Sequence, residues 1–232
     1  MRNYHKTIEV PEGSRLFFCT DVHGRLDELN ELLAQAGFTE TDYLISVGDL
    51  NDRGPKSLEA LNMFLNPKNP NLFALLGNHE HMLMQKDLHN LFYNGGQWAL
   101  EQSDETIDYL SRKLMENFFY AFTVKKDGHT LGCVHAEVPL DFSSWDQFLD
   151  ELVRPRVQLD AVWSREIIYG NSSAHLDGVD YVLHGHTCLP EPTLVGNRLY
   201  FDTGLWVGKQ QGTLTLLEFC NGHFEEYKIE LQ

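Results

Sequence analysis

The sequence predicts an α/β fold, and three observations carry that prediction. A strand-length apolar run, a polar Gly-bearing cluster and a helix-period segment follow one another three times in the first half of the chain. The 232 residues, 42% of them hydrophobic, suffice for the core of one large domain spanning 1–232. No Pro/Gly/Ser-rich linker, internal repeat or low-complexity run divides the chain.

The chain opens Met1-Arg2-Asn3-Tyr4-His5-Lys6-Thr7, with charges but no apolar stretch behind them, so no secretory signal is expected. Arg15 to Cys19 reads as a strand, followed by Thr20-Asp21-Val22-His23-Gly24; Leu26, Leu29, Leu32 and Leu33 then recur at helical spacing. Tyr43 to Val47 is the next strand and leads into Gly48-Asp49-Leu50-Asn51-Asp52-Arg53-Gly54. Pro55 suits the first turn of the helix marked by Leu58, Leu61 and Leu65. Leu72 to Leu76 is the third strand, followed by Gly77-Asn78-His79-Glu80 and the helical Met82, Leu83 and Met84. This βαβαβα order implies neighbouring parallel strands with helical crossovers. Ligands of such sheets bind outside the carboxyl ends of the strands, where all three polar clusters fall.

Residues from about 87 to 117 break the pattern. They are polar, with Asn94-Gly95-Gly96 and then a mixed helical stretch, and read as an inserted cap. Phe118 to Val124 and Thr130 to Val134 read as a hairpin around Lys126-Asp127-Gly128, with His135 directly after it. Residues 136–160 read as a loop. Its Glu137, Asp141, Asp146, Asp150 and Glu151 are expected to form a solvated surface rather than an acidic groove rim. Val162 to Ile168 is helix-like and contains Arg165; Tyr181 to Leu183 is a strand ending at His184-Gly185-His186. Gly212 to Phe219 and Phe224 to Ile229 alternate as a closing antiparallel hairpin, so the second half reads as more antiparallel than the first.

Composition narrows the function classes. A net charge of −16 repels a nucleic-acid backbone, so DNA or RNA binding is not expected. It would also repel a phosphorylated substrate unless the site carries local positive charge. No apolar run approaches the ~20 residues of a membrane span. Cys19, Cys133, Cys188 and Cys220 are scattered without a Cys-x-x-Cys pair and read as reduced thiols, in keeping with a cytoplasmic protein.

Five strand ends deliver metal-competent side chains: Asp21 with His23, Asp49, Asn78, His135 and His186. Carboxylate, imidazole and amide oxygen together suit divalent ions such as manganese, iron or zinc, and do not suit a thiolate site. Asp21 and His23, two apart, can face one ion, and a carboxylate such as Asp49 can bridge two. Two ions ~3.5–4 Å apart clamp the attacking and leaving oxygens of an in-line displacement and turn a bridging water into hydroxide at neutral pH. Arg53 and Arg165 offer forked donors to phosphate oxygens. His79, beside Asn78, is placed to protonate a departing alkoxide, with Asp52 to hold its imidazole and Glu80 to anchor nearby backbone. Singly, each residue has an ordinary explanation, such as a helix cap or a buried histidine. The set of six at strand ends on one rim is what points to chemistry.

These motifs resemble the phosphoprotein phosphatase family of metallophosphoesterases. The resemblance rests on Asp21-x-His23-Gly24, Gly48-Asp49-x-x-Asp52-Arg53-Gly54, Gly77-Asn78-His79-Glu80, His135-Ala136 and Gly185-His186-Thr187, in that order. Asn94-Gly95-Gly96, Trp163-Ser164-Arg165-Glu166 and Asp202-Thr203-Gly204 are similar to segments of its small bacterial and phage serine/threonine phosphatases, typified by that of bacteriophage lambda. The family fold implied is two packed mixed β-sheets flanked by helices. The resemblance implies one ion on Asp21, His23 and Asp49 and a second on Asp49, Asn78, His135 and His186. It further implies manganese as the usual metal, His79 with Asp52 as the acid pair, and Arg53 and Arg165 on the phosphate. The substrate class implied is phosphorylated protein or peptide, with phosphotyrosine and small phosphate esters within range. Thr20 stands where the family usually has Gly. Arg53-Gly54-Pro55-Lys56-Ser57-Leu58 is similar to symmetrical diadenosine tetraphosphate hydrolases, the alternative reading, but those typically lack an acid at the position of Asp52. His184 is expected to be structural, and His81, His89, His129, His175 and His223 carry no supporting pattern.

Overall fold

The apolar runs become strands in a computed structural model that describes residues 4–170, 175–204 and 212–230. The opening Met1-Arg2-Asn3 lies outside the described residues. In chain order the elements are β1 (His5–Glu9), β2 (Leu16–Cys19), α1 (Leu26–Gln35), β3 (Tyr43–Ser46), α2 (Ser57–Leu65), β4 (Leu72–Ala74), α3 (Asn78–Gln85) and α4 (Leu88–Tyr93). They continue as α5 (Asp104–Asn117), β5 (Ala121–Lys126), β6 (His129–Val134), α6 (Trp145–Glu151), α7 (Pro155–Trp163), α8 (Glu166–Tyr169), β7 (Tyr181–His184), β8 (Thr193–Val195), β9 (Arg198–Tyr200), β10 (Thr213–Cys220) and β11 (His223–Glu230). A 3-10 turn, Gly96–Glu101, lies between α4 and α5.

Two mixed sheets result, of order β11-β10-β2-β3-β4 and β1-β5-β6-β7-β9-β8. As the repeated pattern predicts, β2, β3 and β4 are parallel neighbours. The closing hairpin adds to the other side of β2, antiparallel. The second sheet is more mixed than its sequence reading: β5 and β6 are antiparallel, but β6, β7 and β9 run parallel. Asp127 and Gly128, at φ +51° and +82°, make the two-residue turn of the β5–β6 hairpin.

β2 shows why the first strands read as continuous apolar runs. Leu16 and Phe18 face the second sheet and join Ile45, Phe122, Val124, Leu131, Leu183 and Leu217 in an inter-sheet core. Phe17 and Cys19 face outward and are covered by Leu29, Leu32 and Leu33 of α1. Both faces are dry, so alternation disappears.

Four expectations are corrected. Residues 136–160 are not a plain loop, because Trp145 and Phe148 of α6 and Val157 of α7 are buried against the core. The helix-like Val162–Ile168 breaks at Ser164, whose backbone turns extended, and Arg165, which leads into α8. Pro55 precedes α2, which begins at Ser57, because residues 51–56 wrap the Gly24 loop, with Lys56 N–H donating to Gly24 O at 3.0 Å. The strands β1, β8 and β9 were not expected; β1 buries only Ile8, and β8 and β9 have three residues each, too few for a pattern.

Candidate functional site

The carboxyl ends of both sheets meet at one rim. Asp21 and His23 follow β2, Asp49 follows β3, Asn78 opens α3 after β4, His135 follows β6 and His186 follows β7. All six are buried. His186 N–H donates to Asp21 Oδ2 at 2.9 Å, and His135 Nδ1 to Val47 O at 2.8 Å, so each bond ties one sheet to the other. Nine non-glycine residues among those described have positive φ, and six of them are Asp21, His23, Asp49, Asp52, Arg53 and His186. Left-handed backbone costs such residues about 1–2 kcal/mol each, and its concentration here marks the rim as the functional region.

The donor set fits divalent cations. Three imidazoles each donate one nitrogen to a backbone carbonyl: His23 Nδ1 to Asn51 O (2.9 Å), His135 Nδ1 to Val47 O (2.8 Å) and His186 Nε2 to Trp163 O (3.2 Å). Such a bond orients the ring and turns its other nitrogen toward the rim, the usual support of a metal-binding histidine. Those other nitrogens converge on two oxygens. Asp49 Oδ2 lies 3.8 Å from His23 Nε2 and 3.4 Å from His135 Nε2; Asn78 Oδ1 lies 3.1 Å from His135 Nε2 and 2.9 Å from His186 Nδ1. Two groups able to hold an ion share Asp49: His23, Asp49 and His79, and Asp49, His135 and His186. In the first, His79 stands where the sequence reading places Asp21, whose Oδ1 is 3.8 Å from His23 Nε2.

Burial, then His79 and Arg53, hold the His23 imidazole well below its usual range; burial, then His135 and Arg165, lower His186 to about 2. Both rings are therefore neutral, as ligation requires. At His135 burial acts downward, but Asp49 and then Asp21 outweigh it and lift the ring to about 9. Burial, then the charge of Asp202, push the Asp21 carboxyl well above its usual range. A buried site crowded with Asp21, Asp49 and Asp202 is one that positive ions complement.

Beside these residues lies a second constellation. His79 Nδ1 donates to Asp52 Oδ2 at 2.6 Å, both groups being almost fully buried. The Arg53 guanidinium reaches His79 Nε2 at 3.0 Å and His23 Nε2 at 2.6 Å. Arg165 reaches the rim from the other side, donating to His186 O at 3.2 Å. All ten sequence-predicted residues thus lie on or against one rim.

The roles around them are partly new. Glu80 accepts from the N–H groups of Asp49 (3.0 Å), Leu50 (2.6 Å) and Gly77 (2.8 Å), pinning two site loops together. The Thr20 hydroxyl donates to Asp21 Oδ2 at 2.6 Å, so the residue in the place of Gly orients the carboxylate. Glu137, expected on a solvated surface, is instead fully buried. It accepts from Ile167 N–H, Ile168 N–H, Ser164 Oγ and Tyr200 Oη at 2.9–3.2 Å, and so fixes the segment that carries Arg165. Asp202 had no assigned role, although Asp202-Thr203-Gly204 signalled it. His184 stays outside the cluster, stacked on Tyr200 at 4.8 Å with Nδ1 on Val134 O.

The model of the calcineurin-like phosphoesterase family matches residues 14–190. Serine/threonine-protein phosphatase 2 of Salmonella typhimurium (strain LT2) is 27% identical over 221 residues, which cover 90% of this chain and 90% of that protein. A symmetrical bis(5'-nucleosyl)-tetraphosphatase of Neisseria gonorrhoeae is 41% identical over 85 residues, 36% of this chain and 28% of that protein. Among solved structures, a protein serine/threonine phosphatase from Saccharomyces cerevisiae superposes with a TM-score of 0.71 at 14% identity, covering 100% of this chain and 84% of that one.

Proposed function

The chain belongs to the calcineurin-like phosphoesterase family, and on that premise we propose that it is a phosphomonoesterase of phosphoserine and phosphothreonine in proteins, with phosphotyrosine within its range. Asp21, His23 and Asp49 would hold one divalent cation, and Asp49, Asn78, His135 and His186 a second, with manganese expected ahead of iron or zinc. Two such cations supply Lewis-acid polarisation of the phosphoryl group and a water-derived nucleophile at neutral pH.

The protein's own groups do the rest. Arg53 and Arg165 bind and orient the phosphate as forked donors. His79 is the group placed to act through Nε2 as general acid toward the departing serine or threonine oxygen, and Asp52, on the opposite nitrogen, keeps that ring aimed. The observation that carries the reading is the 2.6 Å Asp52–His79 contact, buried beside Arg53. An alkoxide leaving group needs a proton, whereas a nucleotide leaving group needs it far less. The four free cysteines suit a reducing, cytoplasmic setting.

The alternative, hydrolysis of symmetrical dinucleoside polyphosphates, is favoured by the 41% identity to a bis(5'-nucleosyl)-tetraphosphatase over 85 residues. One panel separates the two. The manganese-loaded protein is assayed on a phosphoserine peptide, a phosphotyrosine peptide and diadenosine tetraphosphate. Turnover of the phosphoserine peptide is expected to lead; cleavage of the dinucleotide alone would establish the alternative.

A further inference from the structure

Asp52 receives far more than one histidine. Its Oδ2 takes His79 Nδ1 at 2.6 Å and Asn90 Nδ2 at 2.8 Å; its Oδ1 takes Trp98 Nε1 at 2.6 Å and Asn51 Nδ2 at 2.8 Å. Two of these donors, Asn90 and Trp98, belong to the 87–117 insertion. Each carboxylate oxygen accepts two bonds, so the four donors fill the acceptor positions of an ionised group. A protonated Asp52 would set its own O–H against a donor. Rotation of the carboxylate would break two bonds at once.

The backbone of the insertion is shaped for these contacts. Gly95, at φ +91°, turns its carbonyl onto Arg53 N–H at 2.9 Å. At Gly96 a Cβ would stand 2.7 Å from Asn90 Nδ2, the donor aimed at Asp52. Ala99 is buried in the main core and anchors the same turn. The Asn94-Gly95-Gly96 motif thus brings Asn90 and Trp98 onto Asp52 while bracing the backbone of Arg53.

We infer that Asn90 and Trp98 are positioning residues for the leaving-group acid, so that the insertion is a working part of the Asp52–His79 pair and not only a cap. This rests on the reading of His79 as the acid. His79 is aimed through Nδ1, so the direction of its Nε2 follows the orientation of Asp52. Removing a donor from the insertion frees the carboxylate to turn and misdirects the ring, while the residues proposed to hold metal keep their contacts.

The test uses leaving-group dependence, which general loss of structure does not change. The manganese-loaded Trp98→Phe and Asn90→Leu variants are assayed on phosphate monoesters graded from dinitrophenyl through phenyl to alkyl, with bound metal counted in each. The expected result is a steeper fall of log kcat with leaving-group pKa than in the unaltered protein, reaching about a tenfold loss at the alkyl end. Metal content is expected to be unchanged. His79→Asn should steepen the same plot further. A loss uniform across the series, or none, in whichever of the two variants folds would overturn the role of the insertion while leaving the acid intact. A flat response in His79→Asn would instead remove the acid reading, and this inference with it.

Discussion

At the scale of single residues, the site is held by carboxylates that serve the backbone as much as the chemistry. Glu80 shows this best. Its carboxylate reaches the N–H groups of Asp49 and Leu50 on one loop and of Gly77 on another, so the proposed bridging residue is aimed by a neighbour that touches no substrate. Glu80→Gln keeps the shape but exchanges one acceptor oxygen for a donor that faces an N–H group. The expected cost is about 2 kcal/mol, since a buried N–H loses its partner. Thermal unfolding and metal titration should show a lower Tm and weaker metal retention together; a lower Tm with unaltered retention would confine Glu80 to the fold. The left-handed φ values of Asp21, His23, Asp49 and His186 belong to the same scale, because neighbouring bonds of this kind are what keep strained backbone in place.

At the scale of elements, two clamps decide where functional segments begin. Glu137, three residues beyond the end of β6, caps the first turn of α8 and so sets the position of Arg165. Glu137→Gln is expected to cost about 1–3 kcal/mol and to raise KM for a phosphopeptide more than it lowers kcat. Steady-state kinetics would separate the two, because a misplaced Arg165 weakens phosphate binding first. The second clamp precedes β3. Asp42 accepts from Arg15 NH2 at 2.7 Å, Arg15 Nε at 3.3 Å, Thr39 N–H at 2.7 Å and Thr39 Oγ1 at 3.0 Å. Burial alone would raise its carboxyl, but Arg15 and Thr39 outweigh burial and hold it below the usual range. A depressed folded pKa means stability that is fully present above the unfolded value, ~3.9, and is lost as pH falls through the folded one. Asp42→Asn should therefore cost about 1 kcal/mol at neutral pH, the Arg15 partner being partly solvent-screened. Denaturant melts at pH 7 and near pH 3 should show that deficit shrinking at the acid end.

At the scale of the molecule, the rim joins two sheets whose inner faces share one core. Asp21, Asp49, Asn78, His135 and His186 come from both sheets, so a cation held among them would cross-link the halves of the fold. Buried Asp21, Asp49 and Asp202 repel one another until positive charge lies between them. Chelation is expected to lower Tm, and manganese to restore it with a concentration dependence of about 1.4 kcal/mol per tenfold of free metal and per ion bound. Differential scanning against a manganese series would show this; a Tm indifferent to metal would argue against a cation at the sheet junction. Among the described residues no helix is long and apolar enough to cross a membrane.

The sequence by itself determined the parallel β2–β3–β4 core and the placement of three polar clusters at strand ends, because these follow from local periodicity and spacing; the ten candidate residues were legible from the chemistry of their side chains and from the motif resemblance. It also carried the β5–β6 turn, whose Asp-Gly pair favours positive φ at both positions. Only the tertiary structure decided which residues hold that set in place. Glu137 lies 28 residues before the Arg165 it supports, and Asn90 and Trp98 lie 38 and 46 residues after Asp52. No local pattern records such pairings, since burial and hydrogen bonding at these positions depend on which surfaces the fold brings together. For the same reason the sequence places a charged residue such as Glu137 at a solvated surface, and short strands such as β1, β8 and β9 carry too little pattern to be predicted without their neighbours.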